Sequence, residues 1–341
     1  LLGLGCLQKT RFKLKQHLSI TLVTPTNVID FYYIRKMAKK INHITINYIS
    51  ELHQMMRLPK PLHPLISLIN MDEVKSSGHT DEVYFLLNFY GISLKKNLKE
   101  KLKYGQNYYD FDEGVLAMTA PKQILSVEKG ENYRVSGWWL VFHSDFILSY
   151  PLGKAITHYG FFSYAVNEAL HLSDKEEKML EGIFKNIEQE YETSIDQFSQ
   201  DVMISHLELL LNYCNRFYNR QFLTRKTANN DLLIKIEILL EEYFKNAKVV
   251  EQGLPTVQYF AKKMNVSPNY LSDMLRTLTG QSTQQHIHNK LIEKAKESLT
   301  NTKLSVSEIA YQLGFEHPQS FSKLFKSKTN QSPLAFRQSF N

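Results

Sequence analysis

Two periods of hydrophobic spacing divide the chain. From about residue 62 to 150, apolar residues come in short or alternating runs: PLISLINM (64–71), VYFLLNFY (83–90), GVLAMTA (114–120), QILSV (123–127) and GWWLVFH (137–143). Turn-rich pieces such as SSGH, YGQN, FDEG and EKGEN separate them. Strands of this length at this spacing predict an antiparallel sandwich or barrel. Around 173 the period lengthens. Ser173, with Glu176 three residues on, is a capping box, and Met179, Leu180, Ile183, Ile187 and Tyr191 then form a helical stripe. A second helix over about 196–219 carries Val202, Ile204, Leu207, Leu210, Leu211 and Tyr213. The pair is expected to cover the barrel or a second subunit. RQFLTRKTANND (220–231) breaks the period and reads as a linker, after which 232–245 resumes as a helix with Leu233, Ile236, Leu239, Leu240 and Tyr243 on one face.

The last hundred residues write a helix-turn-helix twice. TVQYFAKKMNVSPNYLSDMLR (256–276) aligns with SVSEIAYQLGFEHPQSFSKLFK (305–326), so that Ala261 matches Ala310, Met264 matches Leu313 and Pro268 matches Pro318. Asn265 and Gly314 sit at the turns, where a left-handed backbone is tolerated. Ser267 is a natural N-cap, and proline fits the first position of each second helix because its missing N–H has no partner there anyway. Leu271, Met274 and Leu275 in one copy, and Phe321, Leu324 and Phe325 in the other, should face inward. Asn269, Ser272, Asp273 and Arg276, and then Gln319, Ser320, Ser322, Lys323 and Lys326, are left outward, where polar heads pair with base edges or phosphates. STQQHIHNKLIEKAKESL (282–299) between the copies reads as one helix of roughly 25 Å. That length suits two second helices about one DNA turn apart, near 34 Å.

Charge sharpens this division. Residues 1–60 carry ten Lys/Arg against two Asp/Glu, and 251–341 carry eleven against six, so within a net +7 the middle of the chain is acidic by six. A basic end that meets phosphate and a separate body are expected. Cys6 and Cys214 are too few and too remote for a disulfide framework or a zinc site, which favours a reducing cytoplasm. Leu18–Ile34 contains Pro25, Asn27 and Asp30 and makes a poor membrane span. The first methionine is Met37, and 1–36 are expected to be an untranslated or non-native leader.

From about 233 to 340 the chain resembles the DNA-binding domain of the AraC/XylS transcriptional regulators, through KAKESL, SVSEIAYQLGF and FSKLFKSKTNQSPLAFR with Pro333 and Arg337. The resemblance implies two helix-turn-helix units joined by a long helix. It implies base readers at Asn269, Ser272 and Asp273, and at Gln319, Ser320, Ser322 and Lys323. The whole DNA-contacting set is Ser267, Asn269, Tyr270, Ser272, Asp273 and Arg276 in the first unit, and His317, Gln319, Ser320, Ser322, Lys323 and Lys326 in the second. Asp273 departs from the family, where a basic residue is common. It either accepts from a cytosine amino group or marks a unit that contributes little base contact.

GVLAMTAPKQ and GWWLVFHSDFI resemble the cupin-like half of full-length members, which implies a small-ligand sensor and a dimerisation module. Alternation puts Trp138, Leu140 and Phe142 on one face and Trp139, Val141 and His143 on the other. One face lines a pocket or packs on the 173–219 helices, and Tyr108, Tyr109 and Phe111 carry the same two readings. Tyr108, Trp139 and His143 are the candidate effector contacts. His63, His79 and His143 are isolated, and His286 and His288 point apart on a helix, so no metal set, cofactor or catalytic group is expected. The expected fold is α+β multidomain: leader 1–36, cupin-like β-barrel sensor 37–172, helical dimerisation pair 173–222, linker 223–231 and all-α DNA-binding domain 232–341. The expected molecule is a cytoplasmic, homodimeric, effector-responsive regulator, not an enzyme, whose partners are double-stranded DNA, RNA polymerase and a small-molecule effector. The alternatives are a constitutive dimeric DNA-binding protein and a catalytic barrel fused to a DNA-targeting domain.

Overall fold

In the computed structural model the described residues are 43–74, 83–96, 103–104, 107–108, 114–127, 136–165, 168–194, 196–224, 226–245, 249 and 252–340. The leader expected over 1–36, with Cys6, and Met37 lie outside them.

The chain opens with β1 (His43–Ile46) and α1 (Ile49–Met55), followed by β2 (Ile66–Asn70), β3 (Val83–Leu87), β4 (Tyr90–Lys96), β5 (Lys103–Tyr104), β6 (Asn107–Tyr108), β7 (Val115–Thr119), β8 (Ile124–Val127) and β9 (Ser136–Phe142). α2 (Ser144–Ile147), α3 (Pro151–Ala155) and two 3-10 turns, Ile156–His158 and Gly160–Ser163, lead to β10 (Leu170–His171). Strands β10-β7-β4-β9-β2 form one antiparallel sheet, β1-β3-β8 a second, and β5-β6 a small third. The closed barrel expected from the strand spacing is therefore corrected to separate sheets among the described residues. The run 83–90 shows why. β3 and β4 are consecutive yet belong to different sheets, so the ladder ends at the corner where fully buried Phe89 crosses between them. What joins the sheets there is an apolar cluster of Ile46, Ile69, Phe85, Leu87, Phe89 and Val141.

β9 alternates as its sequence implies. Val141 and Trp139 face that cluster, whereas Leu140, Phe142 and Trp138 face the helices, with Trp138 stacked on Phe184 at 6.0 Å. Phe184 belongs to α4 (Asp174–Glu192), which begins with Ser173 N–H donating to Glu176 at 2.9 Å. Leu180, Ile183 and Ile187 are buried, but Met179 is exposed, so the buried stripe is narrower than the sequence pattern. α5 (Ser199–Thr224) packs beside α4, and its Phe217, Tyr218 and Phe222 extend the core.

The expected linker 223–231 is largely helical: α5 runs through Thr224 and α6 (Lys226–Lys245) follows. Two polar residues of the 220–231 run, Gln221 and Asn229, are satisfied internally. Gln221 accepts from the His171 N–H at 2.8 Å and donates to the Ala169 carbonyl, serving edge strand β10 in place of a neighbouring strand. Buried Asn229 donates to the Phe222 carbonyl and closes the α5–α6 junction. The remaining helices are α7 (Val257–Met264), α8 (Pro268–Thr279), α9 (Thr283–Asn301), α10 (Val306–Gln312), α11 (Pro318–Thr329) and α12 (Pro333–Gln338).

The helices share two apolar clusters unequally. One cluster runs from the five-stranded sheet through α4, α5 and α6 to α7, α8 and Ile287. The other is confined to the far half of α9 with α10 and α11, around Leu291, Ala295, Ile309, Phe321 and Phe325. Among the described residues no helix is long and apolar enough to cross a membrane.

Candidate nucleic-acid interface

Two helix pairs, α7–α8 and α10–α11, repeat one local design. Thr256 caps α7 by accepting from the Tyr259 N–H, and the Ser305/Glu308 capping box opens α10. Asn265 ends α7 with φ 59° and ψ 42°, and Gly314 follows α10 with φ 83°. The second turn has a reason to be glycine beyond its backbone angle. A Cβ there would lie 2.8 Å from the Gly253 carbonyl carbon, so the two backbones meet with no room for a side chain. Proline opens both α8 and α11, and Ala261 and Ala310 are buried where the helices of each pair cross. α9, at 19 residues or about 28 Å, separates the pairs. Arg337, quoted above for its place in the terminal motif, donates Nε–H to the Leu299 carbonyl at 3.1 Å and so ties α12 to the end of α9.

The second pair presents a free face. Phe321 and Phe325 are fully buried, while Gln319, Ser320, Lys323 and Lys326 are exposed and Ser322 is half-buried. His317, at the N-cap, is exposed and makes no side-chain cap bond. Four outward polar or cationic groups thus share a helix that its own aromatic core holds in place.

The first pair is different. Leu271, Met274 and Leu275 are buried as the spacing implies, and Asn269 and Arg276 are exposed. The other candidate contacts are engaged. Tyr270 is only 7% exposed and sits edge-on to both Tyr164 and Phe222, with centroids 5.2 and 5.1 Å apart. Asp273 accepts from the Tyr164 hydroxyl at 2.8 Å and pairs with Arg276 at 2.6 Å. Ser272 donates to Thr283 at 3.1 Å. Ser267 caps α8 through Tyr270 N–H, while its own N–H and hydroxyl both donate at 2.6 Å to Glu168. Thr277, one turn beyond Asp273, donates to Asn219 of α5.

Tyr164 and Glu168 were not legible as functional residues, and the electrostatics around them follow from their burial. Glu168 is 4% exposed, and burial raises its pKa against the bonds from Ser267 and Ala165, which favour the charged form. Burial first, and then the Asp273 carboxylate, push the Tyr164 hydroxyl far up, which keeps it a donor. The usable signal lay in the alignment of the pairs: Tyr270 and Asp273 occupy the positions of Ser320 and Lys323.

The candidate effector contacts are not brought to one site by the described residues. Trp139 packs in the cluster between the sheets, and its Nε1 lies 2.8 Å from where a Gly91 Cβ would stand. His143 accepts from the Asp145 N–H and opens α2. Tyr108 ends β6, and its side chain, like Tyr109 and Phe111, lies outside the described residues. His286 contacts Thr279 and His288 contacts Gln284, so each is engaged locally. Cys214 is fully buried, and burial drives its thiol pKa up, away from the reactive thiolate. Among the described residues no group of three or more His, Cys, Asp or Glu is placed to hold a metal ion.

Comparison with known proteins bears on the C-terminal helices. Residues 260–339 match the family model described as a helix-turn-helix domain. The chain is 28% identical over 143 residues to histidine kinase P4 of Formosa agariphila, covering 39% of this chain and 10% of the kinase. It is 37% identical over 82 residues to the Msm operon regulatory protein of Streptococcus mutans, covering 24% of this chain and 30% of that protein. It is 29% identical over 136 residues to the transcriptional activator RhaS of Salmonella schwarzengrund, covering 40% of this chain and 46% of RhaS. The chain thus spans less than half the length of each of these relatives. Residues 260–339 are thus a helix-turn-helix domain of the AraC type, which the chain shares with these transcriptional regulators.

Proposed function

We propose that the chain is a sequence-specific DNA-binding transcriptional regulator in which α8 and α11 read successive major-groove segments, each pair acting as one helix-turn-helix unit. The carrying observation is the exposed face of Gln319, Ser320, Lys323 and Lys326 on α11, a helix positioned by buried Phe321 and Phe325. Lys323 and Lys326 contact phosphate or guanine, while Gln319 and Ser320 at the helix start address base edges. In the first unit Asn269 and Arg276 are exposed, Ser272 is tied to Thr283 of α9, and Ser267, Tyr270 and Asp273 become available only when α8 leaves Tyr164 and Glu168.

Residues 37–172 act as a cupin-like sensor, 173–222 as a dimerisation element, and 232–341 as the DNA-binding part. An exposed apolar stripe on α5 and just before it, Phe198, Val202, Leu209 and Leu223, supports pairing with a second copy. DNA-bound dimers then contact RNA polymerase, and a small effector acts through the sensor half. Selection from a random duplex pool with the full chain tests this reading. A motif of two blocks about ten base pairs apart, with one block lost in Lys323→Ala, is the expected result. Enrichment of no motif at moderate salt overturns it.

A further inference from the structure

The two second helices face opposite circumstances at their N-termini. A helix N-terminus attracts anions, because unpaired N–H groups and the helix dipole point there, and at a DNA-reading helix that place suits a phosphate. At α8 it is already taken. The Glu168 carboxylate accepts from the Ser267 N–H and hydroxyl at 2.6 Å each and from the Ala165 N–H at 2.6 Å. One turn on, the Tyr164 hydroxyl holds Asp273, and Tyr164 and Phe222 enclose Tyr270. Thr277 bonds Asn219 on the same side. Tyr270, Asp273 and Thr277 lie on one flank of α8, and the equivalent flank of α11, Ser320, Lys323 and Ser327, is exposed.

We propose that Tyr164 and Glu168 form an autoinhibitory latch, in which the sensor half supplies a carboxylate where DNA would bring phosphate and covers the reading flank of the first unit. The inference rests on α8 being a DNA-reading helix. Asp273, the acidic departure from its family, is the latch's receptor, and so is Tyr270. Placing α8 in a groove requires Tyr164 and Glu168 to let go, because a phosphate at Ser267 would oppose the buried carboxylate. Two of the latch's polar anchors, Tyr164 and Asp273, border an open pocket of about 190 Å³ lined also by His158, Asn219 and Arg276. Apparent affinity for a two-block site is then reduced by the fraction of molecules that are unlatched.

The test compares the full chain with Tyr164→Phe and Glu168→Gln on two duplexes. One carries both blocks of the selected motif, and the other has the block assigned to α8 scrambled. Tyr164→Phe keeps the aromatic packing and removes only the bond to Asp273, and it serves if Glu168→Gln fails to fold by thermal unfolding. The expected result is binding at least about tenfold tighter to the two-block duplex and unchanged binding to the scrambled one. Unchanged affinity for both, or an equal gain on both, overturns the latch. Lys323→Ala runs alongside. If it leaves binding to both duplexes unchanged, the DNA-reading assignment has failed and the latch falls with it.

Discussion

The two helix pairs share turn chemistry, proline placement and a buried alanine, yet they pack into different apolar clusters. The first pair is continuous with the core of the N-terminal half, from the five-stranded sheet to Ile287, whereas the second has its own aromatic cluster. The same motif is therefore free in one place and docked in another. Local sequence builds the second helix of each pair, and the residues on one flank decide what that helix meets. Ser320 and Lys323 leave α11 to solvent, while Tyr270 and Asp273 commit α8 to Tyr164 and Phe222.

The separation of the cores is the easiest part of this comparison to break. Phe325→Ala removes a fully buried ring from the small cluster and is expected to cost about 3–5 kcal/mol. Denaturant unfolding should show the second pair melting first, while the N-terminal half and the first pair hold. One unchanged cooperative transition would show that the clusters are not separable.

The turns offer a smaller contrast. Gly314→Ala meets both a left-handed backbone and the Gly253 carbonyl carbon at 2.8 Å, so it should cost about 2 kcal/mol or more. Asn265→Gly keeps the same class of backbone without a clash, and its expected effect is under about 0.5 kcal/mol. Thermal unfolding of the two variants checks the order, and equal losses would contradict the close approach at Gly314.

The electrostatic tie between α6 and α9 should contribute least. Glu241 of α6 receives Lys290 at 2.6 Å and Lys294 at 3.6 Å from α9, and these partners, led by the Lys290 bond, hold its carboxyl at about 2. A carboxyl whose folded pKa lies below its unfolded value stabilises the fold above the unfolded pKa. That contribution is lost as pH falls from about 4.5 towards about 2. Because the site is exposed, salt screens it. Glu241→Gln is expected to flatten the acid limb of the stability curve slightly at low salt and to change nothing near neutrality at high salt.

Much of this architecture was legible because it is local. The Ser173–Glu176 box, the alternation of Trp138 to Phe142, the turns at Asn265 and Gly314, and the prolines opening α8 and α11 each follow from a period or a cap within a few residues. What was not legible depends on contacts distant in sequence. Gln221 and Asn229 look like linker residues until edge strand β10 and the α5–α6 junction are placed beside them. The corner at Phe89 turns one apolar run into strands of two sheets. Tyr270 and Asp273 share a helix face whose pattern is visible in the sequence, whereas what docks on that face is not. Tyr164 and Glu168, about a hundred residues away, complete that surface.

Quantitative footprinting of the full chain on the two-block duplex, titrated with protein, tests directly whether the proposed second unit is ready for DNA while the first must be released. The expected result is protection of the α11 block at lower protein concentration than the α8 block, and convergence of the two curves in Glu168→Gln. Both blocks filling together in the unaltered chain, with no change in the variant, would contradict it.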